Sequence, residues 1–165
     1  AGRNVATLAD QGTSGHAVIG IPTTDFSGNA GRATYTNLSG TDGALLELRP
    51  SQGYGGIDDR IDLYADLALV ADFSNQTLSG RLFNFTDDDD DSWRLEMAMP
   101  ETPFTNEGFS GYFEVSGLLS GSSAVTYEGS FYGPNAQEVG GTIEGTIIGT
   151  GGIRYITTGG FAGSQ

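Results

Sequence analysis

The sequence predicts an all-β chain, a single antiparallel β-barrel of about eight strands, with one short helical turn near residues 134–139. Three observations carry that expectation. Along residues 62–73, Leu63, Ala65, Leu67, Leu69, Ala71 and Phe73 share one face while Asp62, Asp66 and Asp72 lie on the other, the period of two of a half-buried strand. The 27 glycines are spread through alternating segments, as many short strands and tight turns require, and follow no collagen-like triplet. No linker divides the strand series, and an antiparallel sheet with one apolar face must bury it, which closure achieves while removing exposed edges.

Taken in order, residues 1–16 lack periodicity and are rich in Gly, Thr and Ser, so they are expected as an N-terminal arm or capping loop ahead of a barrel domain at 17–165. Residues 17–21 read as a short strand ended by Pro22. Strand-like segments follow at 33–38, 44–48, 61–73, 77–86, 92–99, 109–116, 124–132, 142–148 and 153–162. Within the fifth of these, Trp93, Leu95 and Met97 share a face, with Arg94 and Glu96 opposite. Residues 129–141 package a strand end, one turn and a strand restart. Phe131 and Tyr132 close an aromatic and β-branched run, Gly133 frees the backbone, and Pro134 suits the first position of a helix because it lacks the N–H that would go unpaired there. Asn135, Ala136, Gln137 and Glu138 complete the turn, and Gly140 and Gly141 end it.

The segment Phe131-Tyr132-Gly133-Pro134-Asn135-Ala136-Gln137-Glu138-Val139-Gly140-Gly141 closely resembles the signature of the transferrin-binding protein B β-barrel family, bacterial surface lipoproteins. Asp72-Phe73-Ser74-Asn75-Gln76-Thr77-Leu78-Ser79-Gly80 is similar to a hairpin of that family, and Gly31-Arg32-Ala33-Thr34-Tyr35-Thr36 to its opening strand. Gly159-Gly160-Phe161-Ala162-Gly163 looks like its closing strand, with the last two residues transposed. Together the resemblance covers residues 17–165 in the family's order. It implies a non-catalytic, secreted or cell-surface binding barrel that captures a protein or small ligand, with host-protein capture for iron acquisition, complement-regulator binding or haem uptake as the family's uses. The implied location is the extracellular or outer-membrane surface of a Gram-negative bacterium, with any lipid anchor outside this chain. Family members are often larger, two-lobed and lysine-rich, and a chain without lysine departs from that pattern.

Composition narrows the partners. The net charge of −14 comes from 21 acids against seven arginines, so phosphate backbones and anionic membrane faces are repelled and nucleic acid is excluded as a partner. The same charge suits a basic protein face or cations. No cysteine is present, which rules out disulfides and thiolate metal sites, and no apolar run reaches the roughly 18 residues of a membrane span.

Candidate chemistry is sparse. His16 is the one histidine; it excludes a multi-histidine metal site, leaves axial ligation of haem open, and reads first as a solvated loop residue in Thr13-Ser14-Gly15-His16. Asp87, Asp88, Asp89, Asp90 and Asp91 form a hairpin tip that must stay solvated or bind cations, weak Ca²⁺ included, although the run lacks the glycine and glutamate positions of an EF-hand loop. No nucleophile elbow, phosphate loop or dinucleotide fingerprint is present, and the acids fall on outward faces or turns, so no enzyme and no required cofactor are expected. For partner binding, Arg49, Tyr54 and Arg60 in the glycine-rich loop 49–60, and Phe104 in loop 100–108, are expected at a rim. The reading from another class is a structural subunit of an extracellular filament, surface layer or matrix, self-assembled by lending its N-terminal arm to a neighbour's sheet edge.

Overall fold

Strict alternation along the longest strand sets the architecture of the computed structural model, which describes residues 4–10, 13–51, 60–117 and 123–165, with side chains from residue 20 onward. The strands are β1 (Asn4–Asp10), β2 (Thr13–Ile19), β3 (Arg32–Asn37), β4 (Ala44–Pro50), β5 (Ile61–Asp72), β6 (Thr77–Asp87), β7 (Ser92–Trp93), β8 (Leu95–Thr105), β9 (Gly108–Gly117), β10 (Ala124–Tyr132), β11 (Glu138–Ile148) and β12 (Arg154–Ser164). In β5, Leu63, Ala65, Leu67, Leu69 and Ala71 are buried and the residues between them face outward, as the period of two requires.

All neighbours pair antiparallel, and the wall closes on itself through eight positions, two of them each filled by two strands end to end. β3 and β4 share the place between β5 and β12, and β7 and β8 share the place beside β6. Between β3 and β4, Thr36 faces Ala68 while Ala44 already faces Ala65, so residues 38–43 leave the wall and return to it. Asn37 seals the gap with its side chain: its Oδ1 accepts the Leu67 N–H at 2.7 Å and its Nδ2 donates to Asp66 Oδ1 at 2.6 Å. On the return, Gly43 N–H donates to Ala65 O at 2.8 Å and Ala162 N–H donates to Gly43 O at 2.9 Å.

The interior is aromatic at one end. The Phe131 ring lies 4.9 Å from Phe104, 5.5 Å from Phe73, 5.6 Å from Phe26 and Phe109, and 5.7 Å from Tyr35. Burial of each such ring is worth about 1.5–3 kcal/mol, with offset or edge contacts adding up to ~1 kcal/mol. Phe26 arrives from the segment before β3, which is stitched to β10: Thr23 N–H donates to Phe131 O at 2.8 Å, and Thr23 Oγ1 donates to Gly133 O at 2.6 Å.

The short helical turn expected near 134–139 is instead a β-turn. Ala136 N–H donates to Gly133 O at 3.3 Å, and the backbone is left-handed at both ends, φ 83° at Gly133 and 52° at Ala136. A helix would need right-handed dihedrals throughout, so the strand restarts at Glu138, four residues before the expected 142. Ala136 tolerates its conformation because it is fully buried and its carbonyl accepts two hydrogen bonds, from Tyr35 Oη at 2.7 Å and from Gln165 Nε2 at 2.9 Å.

The stretch 1–16, expected as an arm or loop, contains β1 and most of β2, which pair as a separate two-stranded ribbon from Asn4 opposite Ile19 to Asp10 opposite Thr13. The expected loop 100–108 is largely strand. β8 continues through Pro100 and Pro103 because its register with β9 is irregular between Ala98 and Phe104, so the missing proline N–H groups fall where the ladder is already broken. No helix among the described residues is long and apolar enough to cross a membrane.

Candidate binding surface

The residues expected at a rim are dispersed. Phe104 is 2% exposed, inside the aromatic cluster, because the extension of β8 carries it inward, so it cannot meet a partner. Tyr54 lies outside the described residues. Arg49 and Arg60 do come together, around the nearly buried Glu47: Arg49 Nε binds Glu47 Oε1, Arg60 Nη1 lies 3.5 Å from Glu47 Oε2, and Arg60 Nη2 binds Asp62. The hydrogen bond from Arg60 to Asp62, and the charges of Asp62 and Glu47, raise the Arg60 pKa. These two cations are therefore engaged with the wall's own carboxylates. His16 falls in β2 opposite Thr7, and its side chain lies outside the described residues.

The acidic tip is an internally bonded turn. Asp87 Oδ1 accepts the backbone N–H groups of Asp89 at 3.1 Å and Asp91 at 3.0 Å, and Oδ2 accepts Trp93 Nε1–H at 3.0 Å. The Trp93 bond, with the backbone amides, holds the Asp87 carboxyl below its usual range. Asp88 accepts from Tyr64 Oη at 2.9 Å, which pushes that phenol's pKa up. Among the described residues no group of three or more acids or histidines converges to hold a metal ion, and Asp87 serves as a cap for its own turn.

Among the concave areas of the barrel wall, two are of similar volume and differ in chemistry. The first, of about 660 Å³, spans β8 to β11 and is lined by Glu107, Ser110, Glu128, Ser130, Tyr132 and Thr142 among others. It continues along the same face: Ser110, Glu128 and Thr142 are cross-strand neighbours, as are Tyr112, Thr126 and Glu144. Tyr112 is 61% exposed, an unusual position for so large a ring. Hydroxyls, carboxylates and an open tyrosine on one wall can meet a basic, hydrogen-bonding protein face.

The second, of about 690 Å³, is a notch where the wall opens between β6 and the β7–β8 line. Pairing across this seam stops at Leu82 opposite Met97 and resumes at Phe85 opposite Trp93, so Phe83 and Asn84 face Arg94, Leu95 and Glu96 without pairing to them, although Phe83 stays paired to Asp66 of β5 and Leu95 and Glu96 to Gly117 and Ser116 of β9. Two local features cause the opening. Asn84 is a left-handed bulge residue, φ 55°, tied outward by Nδ2 to Asp66 Oδ2 at 2.8 Å; asparagine is among the few side chains that adopt this conformation readily. Across the notch, the chain breaks strand at Arg94, whose carbonyl presses so close to Gly117 that a Cβ there would sit 1.7 Å from it. Arg81 lies over the Phe83 ring at 4.7 Å and pairs with Glu96 at 3.3 Å, while the exposed Arg94 makes no ion pair among the described residues. Sequence reasoning placed none of these in a site. The signal available was the phase break from Leu82 to Phe85, two inward residues an odd step apart, which requires a bulge between them.

A family model described as the C-lobe and N-lobe beta barrels of Tf-binding protein B matches residues 21–163. Among solved structures, the chain is similar to Transferrin Binding Protein B, a vaccine antigen of Haemophilus parasuis, in a double-mutant form: 21% identity, TM-score 0.50, covering 88% of this chain and 27% of that one. A single-mutant form of the same antigen aligns at 20% identity and TM-score 0.45, covering 88% of this chain and 29% of that one. The chain thus spans little more than a quarter of the length of these structures. No curated protein matches it.

Proposed function

The chain belongs to the transferrin-binding protein B family of β-barrels, and from that membership together with its outer wall we propose a non-catalytic binding barrel, secreted or held at the surface of a Gram-negative bacterium, that captures a protein partner. The observation that carries this reading is the wall of β9, β10 and β11, where the exposed Tyr112 stands among Glu114, Glu128 and Glu144 beside a hydroxyl-lined concavity. An open aromatic ring with surrounding carboxylates favours a partner with a basic face, and the net charge of −14 speeds its approach. The matched solved structures are named for transferrin binding, so a host iron carrier is the first partner to examine.

Surface plasmon resonance of the immobilised chain against iron-loaded transferrin tests the reading. Binding that weakens about tenfold or more in Tyr112→Ala and in the Glu128→Lys, Glu144→Lys double variant supports it. No signal at about 10 µM transferrin removes transferrin as the partner, and binding untouched by both variants moves the partner off this wall. Light scattering after size exclusion runs alongside: a monomer fits a capture barrel, and polymers fit the filament or surface-layer subunit.

A further inference from the structure

We propose that the notch between β6 and the β7–β8 line is a binding site for an apolar molecule carrying a single carboxylate, and that Arg94 receives that carboxylate. Four observations converge on it. The opening is built into the wall: bulge on one side and strand break on the other leave Phe83 and Asn84 unpaired to Arg94, Leu95 and Glu96 across the seam, while both edges stay held by their outer neighbours β5 and β9. Its volume, about 690 Å³, lies within the range of small-molecule sites. Phe83 and Trp93 supply half-buried aromatic surface for an apolar body, and both are fixed, one beneath Arg81 and the other through its Nε1–H to Asp87. Arg94 offers a guanidinium fork with no carboxylate partner among the described residues, whereas Arg32, Arg49, Arg60 and Arg81 are each ion-paired.

The charge of the chain restricts what can enter. At a net −14, a polyanion pays repulsion from the whole surface against attraction to one arginine, while a single carboxylate with an apolar body pays little of it. Two sources share that chemistry, a free aromatic or aliphatic acid and the C-terminus of a hydrophobic peptide. The site stands on its own geometry: it meets β9 only at Ser116 and Gly117, the end of that strand beyond Tyr112 and Glu114 of the capture wall.

The chain's one tryptophan is Trp93, so its fluorescence reports on the notch directly. Titration with 4-phenylbutyrate, followed by emission and by calorimetry, is expected to give saturable binding that 4-phenylbutanamide and acetate do not give. Arg94→Gln is expected to weaken it about tenfold or more while melting temperature and circular dichroism stay unchanged. The tripeptide Ala-Leu-Phe with a free terminus, measured against its amide, assigns the source: tighter binding than phenylbutyrate points to a peptide end, weaker binding to a free acid. The proposal is overturned if neither acid produces a signal by either method, if the amides bind as well as the acids, or if Arg94→Gln binds as tightly as the parent.

Discussion

Thr157 of β12, opposite Leu48, is fully buried and its Oγ1 has no hydrogen-bond partner among the described residues. An unpaired buried hydroxyl costs about 1–3 kcal/mol, so Thr157→Val, which keeps the shape and removes the polar atom, should stabilise the barrel by ~1 kcal/mol. Chemical denaturation would read this as a higher midpoint at unchanged slope; a lower midpoint would mean that the hydroxyl is bonded. Tyr35 behaves in the opposite way. Its hydroxyl is satisfied, and burial pushes its pKa up to about 12 from 10. Between those values the unfolded chain loses a proton that the folded chain retains, so stability is complete below about pH 10 and declines as pH rises toward 12, by at most ~3 kcal/mol. In Tyr35→Phe this part of the alkaline loss should vanish, at the expense of about 1 kcal/mol at neutral pH from the lost bond to Ala136. A variant whose melting temperature falls between pH 9 and 12 as steeply as the parent's would refute the assignment.

Strand by strand, what the sequence made legible was whatever depends on neighbours along the chain. β5 could be read to within a residue because six apolar positions alternate without a break, and each of them is inward. The alternation says nothing of a partner strand, so the burial of Glu47 between Arg49 and Arg60 was invisible: Arg60 reaches it from across the ladder. Prolines misled at 100 and 103, since a ring without an N–H looks like a strand end unless the ladder is known to be irregular there. The block 131–141 identified the barrel correctly while its local geometry was misread, because Ala136 adopts a left-handed conformation that alanine rarely takes and that only its tertiary contacts impose. Asn37 illustrates the same limit, as its role depends on where β5 lies. Asn37→Ala removes the bonds to Leu67 and Asp66 at the break between β3 and β4, and should cost about 2 kcal/mol by urea denaturation. A cost below ~0.5 kcal/mol would show that the β3–β4 junction does not rely on that side chain.

For the molecule as a whole, charge dominates. Seven arginines against 21 acids leave a surface that repels itself, and salt screens that repulsion. Raising NaCl from about 10 mM to about 1 M shortens the screening length from roughly 30 Å to roughly 3 Å, so the melting temperature should rise by several degrees, and KCl should act alike. A flat response would show that the acids are locally compensated. Against that background the barrel divides its wall by chemistry: a carboxylate and hydroxyl face across β9, β10 and β11, and a notch with arginine and aromatic rings beside β6. The excursion at residues 38–43 has a different consequence. The chain leaves and re-enters one wall position, with Asn37 fastening the exit and Gly43 the return, so each end is anchored without reference to the length of what lies between. Loop closure grows costlier only slowly with length, about 0.6 kcal/mol per doubling, which makes this junction a graft point where a foreign epitope or a second domain could be spliced in and displayed while the barrel register stays as it is.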